Sequence, residues 1–194
     1  MNKVIITGTS TGIGNAIAKN LLKQNVTVIG ISRKHTIKHK NYFAISFDLN
    51  DFKNIKNILD DIIFNHKKID AIISSAGYGV FENLENLKEK EVIDFFNVNL
   101  LAHILISKVL VSHFKKKKTG HFIFIGSEAS LKGNQKSTLY SAAKHGLLGF
   151  VKSFREECNK SEIRVTIINP GMVNSSFFKK LKFSPGKSVK NSIK

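Results

Sequence analysis

Short, almost wholly apolar runs rich in β-branched residues recur along the chain: VIIT (residues 4–7), VTVIGI (26–31), YFAISF (42–47), AIISS (71–75), HFIFIG (121–126) and RVTIIN (164–169). A strand with one wet face alternates apolar and polar side chains, so runs this uniform predict six strands covered on both faces. Between them lie longer stretches with apolar residues at helical spacing: 13–24, 51–66, 88–115 with room for a break, and 139–160. Strand and helix in alternation predict right-handed crossovers and a parallel sheet. The expected fold is α/β, a Rossmann-like doubly wound sheet with helices on both faces and its ligand at the carboxyl ends of the strands.

Composition narrows this picture. A chain of 194 residues fits one domain with a real core, and 42% hydrophobic residues with two prolines exclude a disordered or collagen-like protein. The net charge of +17 changes less than its size suggests, because the lysines are spread along the chain, with local clusters at 115–118 and from 179 onward. No basic stripe with interleaved aromatics is present, so solvated faces and a basic tail are expected rather than a nucleic-acid partner. A general attraction for phosphorylated ligands remains. The single cysteine, Cys158, has no intramolecular partner, and MNKVIITG enters a strand without the apolar region of a signal peptide. Both point to the cytoplasm. The most apolar stretch, 95–111, is interrupted by Asn97, Asn99, His103, Ser107 and Lys108 and is expected to be a buried helix, not a membrane span. The seven histidines have no acidic or cysteine companions at metal-ligand spacing, so no metal is expected.

Two patterns carry chemistry. TGTSTGIG follows the first run directly, with Gly8, Gly12 and Gly14 at a strand-to-helix turn, where a helix start aims free N–H groups and its positive dipole end at a pyrophosphate. LYSAAKHG places Tyr140 and Lys144 four residues apart on one helix face. An ammonium beside a phenol stabilises the phenolate, so Lys144 is expected to lower the pKa of Tyr140 into the range of proton transfer near neutrality.

The G-x-x-x-G-x-G spacing resembles the short-chain dehydrogenase/reductase family, whose T-G-x-x-x-G-x-G is matched by Thr7, Gly8, Gly12, Ile13 and Gly14. Ser127 stands thirteen residues before Tyr140, Asn99 sits in FNVNLLAH, and NPGMVNSS matches the family's P-G-x-V-x-T through Pro170, Gly171 and Val173, with Ser175 in place of threonine. The resemblance runs from residue 3 to 176. It implies a carbonyl compound and its alcohol interconverted by hydride transfer. Tyr140 would be the proton donor, Lys144 a modulator that also holds the nicotinamide ribose, Ser127 the orienter of the carbonyl and Asn99 a support for the proton relay.

For the cofactor, the family's NAD-preferring members carry an aspartate where this chain has Ser32, and Arg33 follows as a cationic fork for a 2′-phosphate, with Lys34 as a helper. NADP is therefore expected over NAD. Asp48 would contact the adenine, or else cap the next helix. The family's N-N-A-G is here Ser74, Ser75, Ala76 and Gly77, which keeps the cofactor-facing alanine and glycine but loses the longer asparagine hydrogen bonds. The loop GYGVFENLE (77–85) is expected to edge the substrate pocket. Residues 1–176 would form the NAD(P)-binding catalytic domain and 177–194 a basic, mobile tail, with the family's last strand and helix missing, either naturally or by truncation. A small-molecule substrate and a homodimer or homotetramer built on the apolar faces of 95–111 and 139–154 complete the reading. The alternative is a truncated, non-catalytic nucleotide-binding or regulatory protein acting through its basic tail.

Overall fold

A computed structural model describes residues 2–173. The six apolar runs all become strands: β1 (Lys3–Thr7), β2 (Thr27–Ser32), β3 (Tyr42–Ser46), β4 (Ala71–Ser74), β5 (Gly120–Ile125) and β6 (Ile163–Ile168). All pair in parallel, in the order β3-β2-β1-β4-β5-β6. The order reverses direction between β1 and β4, and the crossovers leaving these two neighbours diverge. That opens a crevice at their carboxyl ends.

The helices are α1 (Gly12–Lys23), α2 (Ile55–His66), α3 (Glu89–Phe96), α4 (Ala102–Lys117) and α5 (Thr138–Cys158). Successive residues of a strand point to opposite faces, so β1 divides its side chains between two cores. Val4 and Ile6 pack with Ala18 and Leu22 of α1. Ile5 joins Leu59 and Ile62 of α2, Ile106 and Leu110 of α4, and Leu147 and Val151 of α5 on the other face. The apolar stripes of α4 and α5 are thus used within the subunit, including Phe114 and Phe154 against Phe122 of β5.

Stretch 88–115 carries no break. α3 runs into α4 through one π-helical turn, Asn97–Leu101, because the apolar pattern continues without Pro or Gly, and the wider turn absorbs an extra residue. The rod Glu89–Lys117 is long and apolar enough to cross a membrane, with mean hydropathy 1.6 in its most apolar window. Its apolar side nevertheless rests on the sheet, with Phe95, Ala102, Ile106, Leu110 and Phe114 all buried. The expected basic tail, and the absence of a final strand and helix, concern positions outside the described residues.

Candidate active site

The end of β1 supplies the first anchor. Thr7 is buried, and its Oγ1 accepts the N–H groups of Ser75 and Ala76, each at 3.0 Å, tying the turn after β4 to the turn after β1. Gly8 has φ +77°, and a Cβ there would lie 2.9 Å from the Ala76 Cα. Only glycine fits that conformation and that contact. A Cβ on Gly14 would reach 2.5 Å from the Gly8 carbonyl oxygen. Gly12 and Ile13 open α1, so its free N–H groups face the bare backbone of this turn. A glycine turn packed this closely before the N-terminus of α1 fits a dinucleotide pyrophosphate, which backbone N–H groups can approach.

At the ends of β2 and β3 two residues expected to bind the cofactor, Arg33 and Asp48, come together. Ser32 is buried, while Arg33 and Lys34 are exposed. Arg33 and Asp48 line one cleft of about 330 Å³ together with Asn50, Tyr78, Asp94 and Val98. Asp48 does not cap α2; its Oδ1 accepts the Asn50 N–H at 3.0 Å within a local turn. Asn50 then links the cleft wall, donating to Asp94 at 3.0 Å and accepting from Asn97 at 3.0 Å. Asn50, Tyr78, Asp94 and Val98 were not singled out from sequence, because they come from separate loops and helices that only the fold brings together.

The four residues expected to carry catalysis stand on three elements, with Tyr140 and Lys144 both on α5. Asn99, in the π turn, is fully buried; its Nδ2 donates to the Phe95 carbonyl at 3.0 Å and its Oδ1 accepts the Tyr78 N–H at 3.1 Å. Its Oδ1 would also be 2.8 Å from a Cβ on Gly77, so any larger residue there would displace the Asn99 amide. Ser127 follows β5; its hydroxyl accepts the Ala129 N–H at 3.1 Å and hydrogen-bonds the phenol of Tyr140. Its own N–H is held by Asn169 Oδ1 at 3.2 Å, a contact across 42 residues with no local signal. The Lys144 Nζ lies 5.8 Å from the centre of the Tyr140 ring and donates to the Ile125 carbonyl at 3.0 Å.

The electrostatics differ from expectation at one point. Burial pushes the pKa of Tyr140 up, and the Ser127 hydrogen bond only partly opposes this. The expected lowering by Lys144 does not occur here, because the lysine is itself 5% exposed, turned to a backbone carbonyl, and brought down by burial to about 8. The phenol is therefore neutral and carries a transferable proton.

Phe81, from the loop over the site, stacks at a tilt on Tyr140 with ring centres 5.4 Å apart. Val80 and Phe81 pack against the cluster of Phe95, Leu139 and Tyr140. The last strand delivers Pro170, whose carbonyl accepts the Glu128 N–H at 3.2 Å, then Gly171 and Val173. A Cβ on Gly171 would meet the Glu128 carboxylate at 3.1 Å. Ser175 lies outside the described residues.

The model of the short chain dehydrogenase family matches residues 2–184. The 3-oxoacyl-(acyl-carrier-protein) reductase FabG of Buchnera aphidicola subsp. Acyrthosiphon pisum is 38% identical over 184 residues, covering 91% of this chain and 75% of the relative. A solved 4-hydroxyisoleucine dehydrogenase complexed with NADH superposes with a TM-score of 0.86 at 25% identity, over 91% of this chain and 78% of that one. A metagenomic short-chain oxidoreductase in complex with NADP gives 0.81 at 27% identity, over 89% and 83%. With the bare glycine turn and the Ser127–Tyr140 contact set on a sheet of this order, the match over almost the whole chain places this protein in the short-chain dehydrogenase family of oxidoreductases.

Proposed function

We propose that this chain is a cytoplasmic, homo-oligomeric reductase that prefers NADP and interconverts a small carbonyl compound with its alcohol. The observation that supports the reading is the meeting of Ser127 and Tyr140 beside Lys144, in a chain whose first strand runs into the bare glycine turn. Thr7, Gly8, Gly12, Ile13, Gly14, Ala76 and Gly77 would hold the dinucleotide, with Pro170, Gly171 and Val173 beside its nicotinamide. Arg33 would pair with the 2′-phosphate, and Asp48 would face the adenine. When bound, the nicotinamide supplies or accepts a hydride.

The protein's part is to bind and orient the carbonyl and to move one proton. Ser127 Oγ donates a hydrogen bond to the carbonyl oxygen, and Tyr140 Oη delivers its proton to that oxygen as it gains negative charge. Burial keeps the phenol protonated beforehand, which suits a donor working in the direction of reduction. Lys144, whose pKa burial brings down to about 8, would hold the nicotinamide ribose. Phe81 shields the transfer from water.

Titration of the purified chain with NADPH and NADH, repeated with Arg33→Ala, tests the cofactor assignment. Tighter NADPH binding that falls toward the NADH value in the variant is the expected result. A folded chain that binds neither dinucleotide overturns the reading and favours a non-catalytic role. The relatives named above supply two substrate types for a first screen, a 3-oxoacyl thioester and a hydroxy amino acid.

A further inference from the structure

Serines 74 and 75 stand where the family has two asparagines, so the turn after β4 must be held by something else. His103, in the first turn of α4, is 1% exposed, and its Nδ1 lies 2.6 Å from the Oγ of Ser74, itself 1% exposed. Ser74 closes β4, in register with Thr7 on one side and Phe124 on the other. The turn that follows is therefore held from three directions. Thr7 takes the N–H groups of residues 75 and 76, Asn99 takes that of residue 78, and His103 pins the strand end from which all of them hang. Asn99 and His103 are four residues apart, but they sit on consecutive π and α turns of one rod, so both reach the same short loop. Behind them, Ser107 Oγ donates to the His103 carbonyl at 2.8 Å.

Core packing does not account for this imidazole. Its ring hydrogen-bonds the backbone of Ala76 as well as the Ser74 hydroxyl, while its buried Nε2 makes no contact of good hydrogen-bond geometry. A buried polar atom without a well-made hydrogen bond costs about 1–3 kcal/mol. A leucine at 103 with an alanine at 74 would avoid that cost, so the pair is not what maximal stability alone would select.

We propose that His103 is a positioning residue, which through Ser74 fixes the backbone of residues 75–78 against the dinucleotide and so does the work of the missing asparagine amides. This rests on the nucleotide-binding reading above. The residue touches no reacting atom; it sets where Ala76 and Gly77 present their backbone.

His103→Leu, Ser74→Ala, the double variant and His103→Gln test the idea by two measurements. The first is amide hydrogen exchange of residues 75–78 in the nucleotide-free chain, and the second is the Kd for NADPH with kcat measured alongside. Either single apolar variant is expected to speed exchange at these amides and to raise the Kd on the order of tenfold, matching the loss of one well-made buried hydrogen bond. Both effects should coincide in the double variant without adding, kcat should change much less than Kd, and His103→Gln, which can still bond Ser74, should stay close to wild type. Variants that only lower the melting temperature, with exchange and Kd unchanged, overturn the proposal and leave the pair a packing feature. Ser74→Ala removes one oxygen and keeps the test open should His103→Leu fail to fold. If the wild-type chain binds no dinucleotide, the proposed function fails while the exchange measurement still judges the clamp.

Discussion

The proton-donor role proposed for Tyr140 is tested by a single atom. Tyr140→Phe keeps the ring against Phe81 and Leu139 but removes the hydroxyl that Ser127 holds. Turnover of a carbonyl substrate should fall on the order of 10²- to 10⁴-fold, the usual value of a positioned general acid. NADPH affinity should stay within a factor of about two, since the variant keeps every backbone contact of the cradle. Equal turnover by the variant would remove Tyr140 from the mechanism. Two neighbours predict opposite ends of a stability profile. The Lys144 pKa is brought down by burial from 10.5 to about 8, so between those values the unfolded chain holds a proton that the folded chain has lost. Stability should then rise with pH, at up to about 1.4 kcal/mol per pH unit from this group, and Lys144→Met should remove that part of the rise. His103, taken from 6.5 to about 3 by burial and by the charge of Lys144, works the same way in acid. Stability should fall as pH drops from 6.5 toward 3, and His103→Leu should flatten that fall; denaturant titrations across both windows measure it.

The glycine turn shows how an element is decided by what its residues lack. Gly14→Ala would push a Cβ to 2.5 Å from the Gly8 carbonyl oxygen, so the turn would have to open where the pyrophosphate is proposed to sit. The expected cost is about 1–3 kcal/mol of stability, with loss of measurable dinucleotide binding. Wild-type affinity in a folded variant would move the pyrophosphate elsewhere. Elements of this kind were legible in the sequence because their signals are local. Thr7 to Gly14 sit within one turn, Tyr140 and Lys144 within one helix, and each apolar run within one strand. Ser127 was also within reach, since a fixed distance along the chain separates it from Tyr140. The π turn around Asn99 was legible only as an irregularity of a long helix. Illegible were the joins between elements: Ser74 with His103, Ser127 with Asn169, and Asn50 with Asp94 are 29, 42 and 44 residues apart, and no period links them. The state of Lys144 was missed for a related reason. The i, i+4 spacing put its charge beside the phenol, but its burial depends on β5, whose Ile125 carbonyl it binds.

At the scale of the whole molecule the charge imbalance becomes an energetic term of its own. The chain has 31 lysines and arginines against 14 aspartates and glutamates. Among the described residues three ion pairs form. Lys56–Asp60 and Lys90–Asp94 are pairs on helix surfaces, and Lys117–Asp70 ties the end of α4 to the residue before β4. Exposed pairs contribute about 0–1 kcal/mol each, too little to offset a net charge of +17. Salt acts on both terms with opposite sign. It weakens the pairs and so destabilises, and it screens the long-range repulsion and so stabilises, over a Debye length of about 10 Å at 0.1 M. With repulsion dominant, the melting temperature should rise between low salt and about 0.3 M NaCl, and most of the rise should come by about 0.1 M, where screening is already effective. Replacing Lys115 and Lys116, both exposed at the end of α4, by glutamate should raise the low-salt melting temperature and shrink the salt response. A melting temperature that falls on adding salt would mean that the few ion pairs outweigh the repulsion. If the 2′-phosphate pairs with Arg33 as proposed, NADPH affinity should decline over the same salt range, because that attraction and the general positive field are both screened.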